Sequence, residues 1–360
     1  MRLERRAQPS RAALLGAPLL AVVFTLLVAS GLVAWAGAPV GQAYLHLIEG
    51  GFGSRFALTE TLTRATPLIL TGLAAALAFR ARLFNIGAEG QLYLGALAAV
   101  AVGGQLGGMP GGAGWLQLHP TLLFVLMIAA AMLAGALLLL VPALLKSRLG
   151  VDEVVTTLLL NFIVLLFVSA MLDGPMKDPT ALGWPQSVSL PEALQLDKLV
   201  PRSRVHSGLV AALLCAGALT LLLRYTTFGF ELRALGANPR AAAFAGMPVA
   251  AVTVRVALLS GALAGLAGAV EVAGRAGYVT LDMSPGYGYS GIVIAMLAAL
   301  HPLGVVAASV FVAGILVGAD SMSRAVNVPT YIADVIVAVA LVSMLVATML
   351  TQYRVRWRAT

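Results

Sequence analysis

The sequence predicts an all-α integral membrane protein of about ten transmembrane helices, on three observations. Of its 360 residues, 60% are hydrophobic and 11% are charged, against about 25% charged in ordinary soluble domains. Apolar runs near the roughly 20 residues that cross a hydrocarbon core recur along the whole chain. Gly, Ala, Ser and Thr crowd those runs, as membrane helices require when they pack closely without a hydrophobic drive from lipid.

The runs fall at 12–36, 65–79, 87–106, 120–144, 154–172, 207–223, 251–273, 287–300, 303–319 and 331–350. The first follows a basic start, "RRAQPSRAALL", and ends on "AWA", both features of a secretory signal. Its apolar stretch exceeds the about 7–15 residues of a signal core, so it is a retained span. Residues 1–11 then form an N-terminal tail, 12–350 the membrane domain and 351–360 a C-terminal tail. Two connections are long: 173–206, rich in Pro and charge, and 224–250. With the N-terminus inside, 14 of the 23 Lys and Arg fall in cytoplasmic segments, eight fall outside and Arg255 lies within a span. That bias places both termini and 224–250 in the cytoplasm and 173–206 outside. It also explains the net charge of +8 without a nucleic-acid partner.

Several chemistries are excluded. Cys215 is the only cysteine, and His46, His119, His206 and His301 have no metal-ligand spacing, so neither a disulfide framework nor a metal cluster is available. None of Lys146, Lys177 and Lys198 follows a glycine, so the phosphate loop GxxxxGK[ST] is absent. HExxH and GxSxG are absent as well, which leaves an intramembrane hydrolase without a nucleophile–base pair. Uphill transport by this chain needs an ion gradient or a separate motor.

The polar elements inside apolar surroundings are the candidate functional residues. In "FNIGAEGQ" (84–91), Gly87 and Gly90 permit unwound backbone, and Asn85, Glu89 and Gln91 can satisfy the freed amides. Irregular backbone at membrane depth is tolerated only against protein or a water-filled cavity; an interfacial turn, with Glu89 favoured by a helix dipole, is the alternative. "SPGYGYSGIVIA" (284–295) is a second break. Its Tyr287 and Tyr289 either stack on a planar solute or belong to an interfacial aromatic belt. Asn161 is a lone amide in "TTLLLNFIVLL", suited to an interhelical hydrogen bond or to solute. Glu271 and Asp334 lie near span ends, where interfacial placement accounts for them, although either could serve an ion-coupled transporter together with Glu89. Finally, "LTGLAAALA" (70–78) resembles "LSGALAGLA" (259–267), and each is followed by arginine and a Gly-rich break. In this topology the two helices run oppositely, as an inverted transporter repeat requires.

Three stretches, "LFNIGAEGQLYLGALAA" (83–99), "EVVTTLLLNFIVLL" (153–166) and "ELRALGANPRAAAFAGM" (231–247), closely resemble the membrane permeases of bacterial ATP-binding-cassette importers. The branch is that of simple sugars and nucleosides, in particular the larger permease of the nucleoside systems, and the resemblance extends over about 60–350. It implies an inner-membrane permease without a cofactor of its own. ATP and Mg would be bound by a cytoplasmic ATPase, with a second homologous permease chain beside it and an external substrate-binding lipoprotein. It implies a ten-helix fold whose helices 2–5 and 7–10 are inverted repeats, and it supports a solute path at Asn85, Glu89 and Asn161, beside which Gln91, Tyr287 and Tyr289 stand as path candidates on their own chemistry. "RALGANPRAAAFAGM" resembles the segment that docks on the ATPase, formed by Arg233, Gly236, Asn238, Pro239, Arg240 and Gly246. A helix starting near Pro239 with Asn238 as its cap suits that role. The 173–206 connection is then the docking surface for the binding lipoprotein.

Overall fold

The computed structural model describes residues 2–5, 11–105, 119–327 and scattered positions from 329 to 356. Helix dominates. The first half comprises α1 (Arg11–Trp35), α2 (Val40–Phe52), α3 (Arg55–Arg80), α4 (Ala88–Val100) with a π-helical turn (Ala101–Gln105), α5 (Pro120–Leu149) and α6 (Glu153–Asp173). Then come α7 (Gly208–Tyr225), α8 (Thr227–Ala237), α9 (Pro239–Phe244), α10 (Val249–Glu271) with a second π-helical turn (Val272–Ala276), α11 (Tyr287–Leu297) and α12 (Pro302–Val326). A short antiparallel ribbon pairs β1 (Arg2–Arg5) with β2 (Tyr353–Arg356).

Among the described residues six helices are long and apolar enough to cross a bilayer, or seven if a bent pair counts as one span. The expected ten is not reached, for identifiable reasons. α4 has 13 residues before its π-helical turn and α11 has 11, both short of the roughly 20 of a full span. The run at 331–350 lies for the most part outside the described residues, as does Asp334. α2 was not expected; it follows α1 after "AGAP" (36–39), at a bend of 118°, with Gly37 at φ 77 and Pro39 as N-cap. α3 begins ten residues before its apolar run. Its early polar residues are accommodated because hydroxyls bond back along the helix: Thr59 Oγ1 donates to Phe56 O at 2.8 Å and Thr66 Oγ1 to Leu62 O at 3.0 Å.

The chain divides into two packed units, Met1–Thr61 with Phe311–Thr360, and Leu62–Val310. In the first, Ala29 and Val33 of α1, Ala43 of α2, and Ala319 and Met322 of α12 form a buried cluster. In the second, α10 lies along α5 and α4. The contact is backbone against backbone. A Cβ on Gly261 would overlap the Gly135 carbonyl, one on Gly265 the Ala131 carbonyl, and one on Gly268 the Leu92 carbonyl. Gly261 and Gly265 thus make a small-xxx-small face, which lets membrane helices approach closely.

Candidate functional site

The first break is built by α6. Its side chains Glu153, Thr157 and Asn161 stand at i, i+4 and i+8, one above another on a single helix face. Glu153 Oε1 accepts from Phe84 N at 3.2 Å, and Thr157 Oγ1 from Ile86 N at 3.2 Å. Asn161 Oδ1 accepts from Gly90 N at 2.8 Å while its Nδ2 donates to Ile86 O at 2.8 Å. Asn161 therefore caps the first turn of α4 from another helix. Asn85 and Gln91 exchange two amide hydrogen bonds of 2.9 and 2.8 Å. Asn85 also accepts from Gly87 N at 3.0 Å and donates to Ser260 Oγ of α10 at 3.2 Å. Asn85, Glu89, Gln91 and Asn161 are all buried, so the polar side chains of the break are packed in protein.

The second break meets the first. Glu89 Oε2 accepts from Gly288 N, in the first turn of α11, at 2.6 Å. An acidic group at a helix N-terminus satisfies an orphan amide and the helix dipole together. The approach is close: a Cβ on Gly288 would run into the backbone of Ala88 and Glu89. Thr71 Oγ1 donates to Tyr287 O at 3.0 Å, and Tyr93 OH to Leu281 O at 2.6 Å. At the far end of α11, Arg80 Nε donates to Leu300 O at 2.9 Å. The 11 residues of α11 span about 16 Å.

The two tyrosines part company. Tyr287 is buried and its hydroxyl accepts from Arg275 at 3.2 Å, whereas Tyr289 is exposed and takes a hydrogen bond from Asn161 Nδ2 at 3.2 Å. Glu271, the last residue of α10, is buried and paired with Arg275 at 2.6 Å. Glu153, Thr157, Ser260 and Tyr93 were not singled out in the sequence. For the first two the signal was present as the four-residue spacing to Asn161.

In the 224–250 connection, Asn238 Oδ1 accepts from Arg240 N at 3.0 Å and Ala241 N at 3.2 Å, and Pro239 opens α9. Gly246, at φ 80, closes it, with Gly246 N donating to Ala243 O and Met247 N to Ala242 O at 3.0 Å. This is a Schellman ending. Gly236 lies against the Arg80 carbonyl where no Cβ fits. Arg233 donates to the Leu223 carbonyl, and Arg240 is exposed. Phe244 is 97% exposed. It was not singled out either, although a lone aromatic among alanines is a visible signal.

Residues 173–206 are clasped to the turn after α10. Ser187 N donates to Val279 O at 3.0 Å, Leu190 N to Gly277 O at 2.7 Å and Leu196 N to Ala273 O at 2.8 Å. His206 is buried against Gly274, and neither ring nitrogen has a hydrogen-bond partner. Burial, and then the nearby Arg275, holds its pKa down to about 4. A released His titrates near 6.5, so the clasped form binds fewer protons. Its stability is full above about pH 6.5 and is lost as pH falls towards 4. Amide exchange at 205–209, corrected for intrinsic rates, is expected to rise between pH 7 and 4.5, and His206→Gln to flatten that dependence. An equally steep profile in the variant would contradict the assignment.

Six helices long and apolar enough to cross a bilayer, among the described residues, mark a multi-pass membrane protein. The chain belongs to the family described as the permease component of the branched-chain amino acid transport system, which matches residues 57–348. That range agrees with the resemblance seen over about 60–350. The chain is 38% identical over 355 residues to the glucose ABC transporter permease protein TsgB13 of Haloferax volcanii, covering 94% of this chain and 89% of the relative. It is 36% identical to the guanosine ABC transporter permease protein NupP of Bacillus subtilis, over 89% and 90% of the two chains. NupQ, a second guanosine ABC transporter permease protein of Bacillus subtilis, is 28% identical over 70% of this chain and 77% of its own.

Proposed function

We propose that this chain forms the translocation pathway of an ATP-driven importer for a nucleoside or related small polar solute. The observation that carries the reading is the meeting of the breaks at Glu89 and Gly288, together with the likeness to NupP over most of the chain. Asn85, Glu89, Gln91 and Asn161 hold the wall of the path, and Tyr289, the exposed ring beside Asn161, is the group offered to a planar base. The α3–α4 and α10–α11 pairs are corresponding parts of an inverted repeat. A simple sugar is the second cargo, favoured by the likeness to TsgB13. Uptake of labelled guanosine, uridine, ribose and glucose in cells with and without this chain tests the assignment. Nucleoside uptake that depends on the chain supports it, and uptake of sugars alone moves the cargo to the second reading.

ATP and Mg are bound by a separate cytoplasmic ATPase. A nonidentical second permease completes the path, a pairing supported by the likeness of this chain to both NupP and NupQ. Pairing of β1 with β2 fits both termini on one side, the cytoplasmic one. The exposed Trp184 and Leu182 on the outer 173–206 segment receive the binding lipoprotein. α8 and α9 are the ATPase docking segment, with Arg240 and Phe244 at its surface.

In the assembled complex, replacing Gly236 by Val, or Pro239, Arg240 or Phe244 by Ala, is expected to lower uptake per ATP hydrolysed by about tenfold. The binding lipoprotein's affinity for solute stays unchanged. Full uptake in all four variants would remove the docking assignment.

A further inference from the structure

One continuous set of polar contacts runs from α8 to the first break. Arg82, a non-glycine residue at φ 55, turns the chain between α3 and the break. Its Nη2 donates to Ala237 O, at the end of α8, at 2.9 Å. Its own carbonyl accepts from Lys146 Nζ, in the last turn of α5, at 2.5 Å. Lys146 is paired with Glu153, the first residue of α6, at 2.5 Å. The same carboxylate oxygen accepts from Phe84 N, where the break begins, at 3.2 Å. Four residues on, Thr157 holds Ile86 N, and four further, Asn161 holds Gly90 N.

The geometry points to the Lys146–Glu153 pair as the link that passes movement of the docking segment to the solute path. This rests on reading α8 and α9 as that segment. The pair is fastened to both ends of the transmission by backbone groups: to α8 through Arg82, and to the break through the Phe84 amide. Glu153 is buried while Lys146 is partly exposed, so neither partner can leave without stranding a buried carboxylate. A shift of α8 is therefore carried into α6. The Glu153, Thr157 and Asn161 ladder then carries it to the first turn of α4, where Glu89 holds α11. Lys146, Glu153 and Arg82 are positioning residues; none of them is assigned contact with solute.

The test uses the whole complex, with both permeases, the ATPase and the binding lipoprotein, reconstituted in vesicles. Bound ATPase per permease, hydrolysis with and without solute-loaded lipoprotein, and solute uptake are read together. Lys146→Met, Glu153→Gln (which keeps an acceptor for Phe84 N) and Arg82→Met (at an exposed side chain that leaves the pair intact) are compared with wild type. Lys146→Met and Arg82→Met are expected to keep the ATPase bound and its basal rate within about twofold, while stimulation and uptake fall about tenfold. Glu153→Gln is expected to fall between them and wild type. Wild-type coupling in Arg82→Met, or losses in all three that merely follow the amount of assembled complex, would overturn the link. Phe244→Ala in parallel keeps the two readings apart: unchanged ATPase binding and uptake in that variant counts against the docking surface, whatever the link variants do.

Discussion

Glu89→Ala is expected to reduce solute uptake by about tenfold or more, with a much smaller loss of folded protein in the membrane. The carboxylate serves the second break, where it accepts from the amide of Gly288 at the start of α11 and is hydrogen-bonded to the Ser284 side chain. Its removal leaves that amide without an acceptor in a closely packed contact and unfastens two helix N-termini that otherwise hold each other. The bundle itself is held elsewhere, by α10 against α5 and α4. The loss therefore falls on the balance between conformations of the path, which transport must traverse. Glu89→Gln retains an acceptor and is expected to keep most of the uptake. A dead Glu89→Gln variant with normal ATP hydrolysis would show that the charge itself is required and would return the ion-coupled alternative to consideration. Equal losses of uptake and membrane insertion in Glu89→Ala would reduce Glu89 to a folding role.

Gly268→Ala is expected to lower stability strongly. The added methyl would occupy the position of the Leu92 carbonyl, with Ala96 N also near, so two helix backbones must separate. Overpacking of this kind costs about 1–3 kcal/mol and occasionally more. Gly217 of α7 is the control, since a Cβ there meets nothing within 4 Å. In α7 the gain in helix propensity, about 1 kcal/mol at most, is expected to leave Gly217→Ala as stable as wild type or slightly more so. Thermal unfolding in detergent, followed by loss of the monodisperse species, reads both. Similar midpoints for the two variants would contradict the close α4–α10 contact.

Much of this was legible in the sequence because lipid imposes simple rules. Apolar runs marked the helices, and glycines beside amides and a carboxylate marked the breaks. Asn238 followed by Pro239 marked the start of α9, which the structure bears out. Burial of Asn85, Glu89, Gln91 and Asn161 shows that the polar side chains of the first break are satisfied by protein. The partners of these residues were not legible, because they are distant in sequence: Gly288 lies 199 residues from Glu89 and Ser260 lies 175 from Asn85. Small residues at such contacts resemble every other small residue of a membrane helix. The fate of the tyrosines was hidden for the same reason: two residues apart on α11 they face different sides, and the sequence does not show which side is buried. α2 was not legible because Gln42, His46 and Glu49 interrupt its 13 residues, and the turn before it is marked in the sequence by little more than Gly37 and Pro39.

The central claim is that this chain carries solute under the drive of a separate ATPase. Its most direct test is labelled guanosine uptake into vesicles holding the full complex, with ATP supplied on the ATPase side, loaded lipoprotein on the other, and ion gradients collapsed by ionophore. Uptake that requires ATP and this chain, and that persists with the gradients collapsed, is the predicted result. Uptake by this chain without the ATPase, abolished by the ionophore, would contradict it.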